Sequence, residues 1–168
     1  MEEQVTDNVD TTPKQAFPIS FQVHLLNLRL AAQARAVIAR HGDLTLPQWR
    51  IIRLIGLDPS QGSTGHRKAL GFDKSQFSKT ITALVDQDYI RTEPHPLDKR
   101  QFIPTLTEKG LAALARLAPE LDRRQAHLAS ALTPEEQRLI GPILEKLYAA
   151  AEATEFPDIP VPQNKITA

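Results

Sequence analysis

The stretch Gly71-Phe72-Asp73-Lys74-Ser75-Gln76-Phe77-Ser78-Lys79-Thr80-Ile81-Thr82-Ala83-Leu84-Val85 opens a segment that runs on, through Asp98-Lys99-Arg100, to Leu106. Phe77, Ile81, Leu84 and Val85 stand at i, i+4, i+7 and i+8, which predicts one apolar face of a helix. Asp73 is placed to cap that helix, with Gln76 three residues on, as in a capping box. The opposite face carries Ser75, Gln76, Ser78, Lys79 and Thr82. A face chosen only for solubility would more often hold Glu, Lys and Arg, since Ser and Thr are poorer helix formers. Something besides helix stability has selected these side chains.

The second half of the segment supplies an answer. Residues 90–93 (Ile-Arg-Thr-Glu) and 101–103 (Gln-Phe-Ile) read as two short strands around a tip, Pro94 to Arg100, that carries proline and charge. A helix with a small hydrogen-bonding face suits the major groove of DNA, and a basic ribbon suits the minor groove. Together they predict a winged helix-turn-helix.

Toward the N-terminus, a short helix at about His66 to Leu70 precedes Gly71, a residue suited to the tight turn between two helices. Residues 56–65, with Pro59 and Gly62, read as a loop. Before it, Thr45 caps a helix with Pro47 in its first turn, Gln48 closing a capping box, and Trp49, Ile52 and Ile55 as core stripe. The helix at 19–39 is apolar around most of its circumference, through Phe21, Val23, Leu25, Leu26, Leu28, Leu30, Val37 and Ile38. Such a helix must be buried on more than one side. A second copy of the chain would supply the second side; the other reading is the central helix of a monomeric bundle.

Toward the C-terminus, Thr107 caps a helix bearing Leu111, Leu114, Leu117 and Leu121, with Pro119 expected to kink it or end a segment. Thr133-Pro134-Glu135-Glu136 starts a last helix that carries Leu139, Ile140, Ile143, Leu144, Leu147 and Tyr148, with an irregularity expected at Gly141-Pro142. The expected organisation is an acidic, flexible arm over 1–17, a single domain over 18–155, and a proline-containing tail over 156–168. No internal repeat is visible.

Composition bounds the function. The 168 residues carry 20 Lys or Arg and 20 Asp or Glu, so the formal net charge is zero. Residues 1–12 hold four acids and no base, which leaves 20 bases against 16 acids, or +4, on the remainder. Only the facing surface of a DNA-binding protein has to be basic, so neutrality of the whole excludes nothing. Without cysteine there is no disulfide framework, thiolate metal site or thiol sensor. No run of about 18 apolar residues predicts a membrane span, and the acidic N-terminus lacks the apolar core of a secretory signal; the expected location is the cytoplasm. His24, His41, His66, His95 and His127 show no metal-ligand spacing, so no metal and no cofactor is expected. His24, among apolar positions, reads as a core residue, and so does Trp49. There is no nucleophile elbow, phosphate-binding glycine loop or paired-carboxylate helix face, so no enzyme is expected.

Four segments in order resemble the MarR family of transcriptional regulators: Leu44-Thr45-Leu46-Pro47-Gln48-Trp49-Arg50, Ala69-Leu70-Gly71-Phe72-Asp73-Lys74-Ser75, Asp98-Lys99-Arg100, and Leu106-Thr107-Glu108-Lys109-Gly110. The likeness covers about Ile19 to Ala153. It implies a mainly α fold with a small two- to three-stranded β wing. The winged lobe would lie at about 44–107, with dimerisation helices at about 19–40 and 107–153. It also implies a homodimer on a palindromic operator, with a small-molecule effector, often phenolic, bound between dimer helices and lobes. The segment of Lys74, Ser75, Gln76, Ser78, Lys79 and Thr82 falls where the family enters the major groove. In the wing, His95, Asp98, Lys99 and Arg100 are the candidates, with Arg100 working near the tip and Asp98 helping to hold it. One departure is that His66 and Arg67 stand where the family has Leu and Ala, which leaves the path of residues 60–68 open. The expected partners are double-stranded DNA, a second copy and an effector, with no membrane. The alternative is a winged-helix module that has lost DNA contact and binds another protein.

Overall fold

Side-chain caps set several of the helix starts in this chain. The computed structural model describes residues 17–157, which form α1 (Ile19–His41), α2 (Leu46–Leu57), α3 (Ser63–Ala69), α4 (Lys74–Asp86), β1 (Ile90–Pro94), β2 (Phe102–Leu106), α5 (Glu108–Ser130) and α6 (Pro134–Ala151). The expected arm, apart from Phe17, and the tail from residue 158 lie outside the described residues. Two compact units divide after Asp122, within α5.

Thr45 caps α2 through a reciprocal capping box with Gln48, and Thr133 caps α6 with Glu136 in the same way. Each box satisfies two backbone N–H groups that a helix start would otherwise leave bare. Asp73 caps α4 by accepting the Gln76 N–H at 2.8 Å. The C-terminal ends of α3 and α4 share one device. Phe72 N–H reaches the Arg67 carbonyl and Gly71 N–H the Lys68 carbonyl, while Tyr89 N–H reaches Leu84 and Asp88 N–H reaches Val85. Both are Schellman closures, which require a left-handed residue at the turn. Gly71 supplies it at φ +64° and Asp88 at φ 58°.

The core of the first unit gathers Ile38 of α1, Trp49, Ile51, Ile52 and Ile55 of α2, Phe72, Phe77, Ile81 and Leu84 around α4, Tyr89 and Ile90 at the wing base, and Ala113 and Leu117 of α5. The wing is one antiparallel pair, with Ile90 opposite Leu106 and Pro94 opposite Phe102. Among the described residues it has two strands and no third.

Several expectations are corrected. The helix before the Gly71 turn begins at Ser63, three residues earlier than expected, with Gly62 at its cap. Gly56 stays inside α2 and does not open the loop: its bare Cα lets Leu114 of α5 come so close that an added Cβ would lie 2.5 Å from a Leu114 methyl. Pro119 does not end a segment, because a proline removes a single rung of a helix that continues for about three turns on either side. Gly141-Pro142 likewise interrupts no residue of α6. Val85 and Leu111 are exposed although both were placed on apolar faces, since each sits at the rim of a stripe that narrows to Phe77, Ile81 and Leu84, or to Ala113 and Leu117. His24 is exposed in the chain, not a core residue, while Trp49 is buried as expected.

The turn into the wing is tied to the end of α1 by one bond, the Tyr89 hydroxyl donating to Asp43 at 2.5 Å. Burial first, and the Asp43 carboxylate second, push the Tyr89 pKa up to about 12. The same bond leads the causes that hold Asp43 below the usual carboxylate range. A tyrosine whose folded pKa is raised contributes stability below its unfolded value near 10 and loses it as pH rises to about 12. Thermal midpoints of the wild type should therefore fall between pH 10 and 12 more steeply than those of Tyr89→Phe, when the two are melted side by side.

Candidate nucleic-acid interface

At about 100° per residue, the α4 positions divide cleanly. Phe77, Ile81 and Leu84 are buried, and Ser75, Lys79 and Thr82 point away from them. Ser78 and Gln76 flank that outer stripe on either side, and Lys74 stands in the first turn; all six are exposed. The side chains are short or flexible and offer donors and acceptors. Asp86 also lies on the outer side, at the last residue of the helix.

The wing is packed against this helix. The rings of Phe77 and Phe102 stack with centroids 6.4 Å apart and planes 20° off parallel, so the inner face of α4 and strand β2 share one contact. Beyond the strands, hydrogen bonds shape the tip. His95 N–H donates to the Gln101 carbonyl at 3.1 Å, and Gln101 N–H to the Asp98 carbonyl at 2.9 Å. The His95 Nδ1 accepts the N–H groups of Leu97 and Asp98, at 3.2 and 3.1 Å. One carboxylate oxygen of Asp98 accepts the Arg100 N–H at 3.0 Å and the other the Gln101 side-chain amide at 2.9 Å. These two donors, the Gln101 amide foremost, hold the Asp98 carboxyl below its ordinary pKa.

Asp98 thus braces the backbone and leaves the Arg100 side chain outside. The Arg100 side chain is 96% exposed, and its Nε lies 3.9 Å from a carboxylate oxygen of Asp98. Lys99 is exposed beside it. His95 is only partly exposed, with its ring edge turned toward Gly62 and one nitrogen committed to the tip. Among the wing candidates, Lys99 and Arg100 present charge outward, whereas His95 and Asp98 organise the loop that carries them.

The open segment 60–68 contains residues whose roles the sequence did not disclose. Arg67 donates from its Nη1 to the Phe72 carbonyl at 3.0 Å, reinforcing the turn between α3 and α4. His66, standing where a leucine is usual, is fully buried, and neither ring nitrogen has a hydrogen-bond partner; the nearby carbonyls of Asp58 and Leu54 favour the charged ring without reaching bonding geometry. Burial outweighs them and lowers its pKa. Gln48 is also buried, and its amide donates to Gln87 at the C-cap of α4, at 3.0 Å. Its capping-box position was legible, but the bond across 39 residues of chain was not.

A helix-turn-helix whose second helix presents an uncharged or basic hydrogen-bonding face, followed by a braced basic ribbon, defines a winged-helix lobe. The family model for the MarR family matches residues 42–101, which span this lobe from Gly42 to the wing. A transcriptional regulator HosA of Escherichia coli O111:H- is 28% identical over 108 residues, covering 64% of this chain and 80% of that protein. The homoprotocatechuate degradative operon repressor of Escherichia coli is 25% identical over 147 residues, covering 84% and 95%. The solved structure of S. aureus MepR in complex with DNA superposes with a TM-score of 0.72 at 19% identity, covering 80% of this chain and 98% of that one. Over residues 42–101 the chain is thus similar to the MarR family, and the relatives it resembles are named as transcriptional regulators.

The buried imidazole has a consequence for stability. A histidine whose folded pKa is depressed contributes stability above its unfolded value near 6.5, and that contribution is lost as pH falls through the folded value. His66→Leu removes the group that must be charged on unfolding in acid. Its thermal midpoint should change less between pH 7 and pH 5 than that of the wild type, as followed by circular dichroism.

Proposed function

We propose that the protein is a homodimeric repressor that binds a palindromic operator, with α4 in the major groove and the wing tip in the adjacent minor groove. The observation that carries this reading is the pairing of an exposed polar α4 face with a tip braced so that Arg100 projects into solvent. Lys74 and Lys79 would meet phosphates, while Ser75, Gln76, Ser78 and Thr82 would meet base edges or sugars. Lys99 and Arg100 would contact the minor groove and its rims, on a loop shaped by His95 and Asp98. The complex of MepR with DNA supports the DNA partner, and the operon repressor among the relatives supports the sign of regulation. Such a protein works in the cytoplasm, on double-stranded DNA.

The apolar surface argues for two copies. Phe21, Val23, Leu25, Leu26 and Leu28 of α1 are exposed, and α6 buries none of its residues within the chain, leaving Leu139, Ile140, Ile143, Leu144 and Tyr148 open. A homodimer through the segments 19–40 and 107–153 would cover them, with the arm 1–17 and the tail 156–168 as flanks. Obligate interfaces of this kind bury about 2,000 Å² or more. Sedimentation at micromolar concentration should return a dimer; a stable, folded monomer would count against the interface.

A cavity of about 430 Å³ lies between α1 and the start of α2, lined by Asn27, Ala31, Arg35 and Ala39 on one helix and by Leu44 to Pro47 and Arg50 on the other side. Two guanidinium groups on an otherwise largely apolar lining fit a small anionic effector whose binding releases the DNA.

Base-edge and phosphate contacts respond differently to salt and sequence. Arg100→Ala should weaken binding to selected and scrambled DNA alike and flatten the salt dependence by about one phosphate equivalent. Gln76→Ala should cost about 1–3 kcal/mol on the selected site and little on the scrambled one. The test is a pair of salt titrations for each variant. Equal losses for Gln76→Ala on both sequences would defeat the recognition-helix assignment. No change for Arg100→Ala would mean that the wing stays off DNA, and a protein-interaction module would then be the better reading.

A further inference from the structure

The wing tip carries a second kind of side chain beside its cations. Leu97 is 91% exposed, more than any other large apolar residue among those described. A single exposed leucine on a surface is ordinary. Its mounting sets this one apart. The Leu97 N–H is fixed to the His95 ring, the next N–H to the same nitrogen, and the following residues to the Asp98 carboxylate. Pro96 restricts the backbone immediately before it. The side chain is therefore held out at the apex of a closed loop and cannot fold back onto the core. The Asp98 carboxylate, which would oppose phosphates, is turned into the loop and engaged by Arg100 N–H and Gln101. What projects from the tip is thus an apolar group and, three residues on, an exposed arginine whose Nε stands 3.9 Å from the Asp98 carboxylate.

We propose that Leu97 is a minor-groove wedge: presented on the closed wing tip, it pushes against the base stack beside the tract that Arg100 enters, and unstacks one step there. Apolar side chains used in this way pry open a base step and bend the duplex, and pyrimidine–purine steps yield most readily. A pre-ordered tip lowers the entropic cost of placing the side chain. The wedge rests on the DNA-binding reading above and deepens it: it adds a contact that selects flexible steps in the operator flanks, where no base edge need be read.

The test uses the full-length protein and the duplex it selects from a random pool, with 2-aminopurine replacing adenine at successive flank positions. With the wild type, one position beneath the wing should brighten on binding as its base unstacks. Leu97→Ser should abolish that rise and weaken the selected site about ten-fold, and Leu97→Met should retain both. Because Leu97 touches no core residue, melting curves of the three proteins should coincide. A Leu97→Ser protein with wild-type affinity and an undiminished fluorescence rise would overturn the wedge, as would a wild type that brightens no flank position. Failure of the DNA-binding reading itself would look different: no sequence would emerge from the random pool, and the wedge would fall with it.

Discussion

Residues 87–89 meet residues 107–110 in one crowded junction, and both α4 and the wing are hung from it. Gly110 lies so close to the Tyr89 carbonyl that an added Cβ would sit 2.1 Å from the oxygen, an approach open only to glycine. Around that contact, Thr107 N–H donates to the Tyr89 carbonyl at 3.1 Å and the Thr107 hydroxyl to the Asp88 carbonyl at 2.6 Å. The same hydroxyl accepts the Gly110 N–H at 3.1 Å, capping α5. Lys109 donates to the Gln87 carbonyl at 2.7 Å, with its ammonium 4.3 Å from the centre of the Tyr89 ring. The segment Leu106-Thr107-Glu108-Lys109-Gly110 is therefore a fastening. Each of its residues but Glu108 has a partner at the end of α4 or the start of β1: Leu106 pairs with Ile90, and the other three reach residues 87–89.

The placement of α4 relative to the wing follows from this fastening. Helix α4 is closed at its C-terminal end by Asp88 in the left-handed region, and the chain turns there directly into β1. Strand β2 then returns to within one residue of α5. Helix and wing cannot be moved independently without breaking bonds at residues 87–89. Two further ties reach the junction from the other side: Gln48 of α2 to Gln87, and Asp43 at the end of α1 to Tyr89. Thr45 shares the cap of α2 with Gln48 and also lines the cavity beside α1. In the proposed effector response, a molecule in that cavity would press on a residue two hydrogen bonds from the end of α4.

Local chemistry in this chain was readable where it repeats at a known period or spacing. The capping boxes at Thr45 and Thr133, the Asp73 cap, and the burial of Phe77, Ile81 and Leu84 follow from side chains three or four apart. The wing was readable from its β-favouring runs, although β2 extends to Leu106 because Thr107 and the junction hold it there. What escaped was set by distant partners. Gly56 looks like a loop residue until Leu114 is placed over it, and the path around His66 stays open until α3 turns the ring inward. Arg67 occupies an expected alanine position, yet its guanidinium serves the Phe72 carbonyl. None of these contacts has a sequence signature, because each depends on where another segment comes to lie.

The first helix is committed to the lobe along only part of its length. Its C-terminal half is committed to the lobe through Ala34 and Ile38, and its N-terminal half leaves Phe21, Val23, Leu25, Leu26 and Leu28 uncovered. A helix of 23 residues is about 35 Å long, more than a lobe of this size needs along one edge. Asn27, Ala31, Arg35 and Ala39, each four residues from the last, make a single stripe along the stretch where one role gives way to the other. The cavity opens on that stripe. If a second copy covers the exposed half, as proposed, then anything bound beside Arg35 touches the shaft joining dimer contact and lobe. A small displacement of the shaft would be carried through Asp43 to Tyr89 and so to the wing. Coupling between effector and operator would then need no flexible linker, because α1 would itself be the lever.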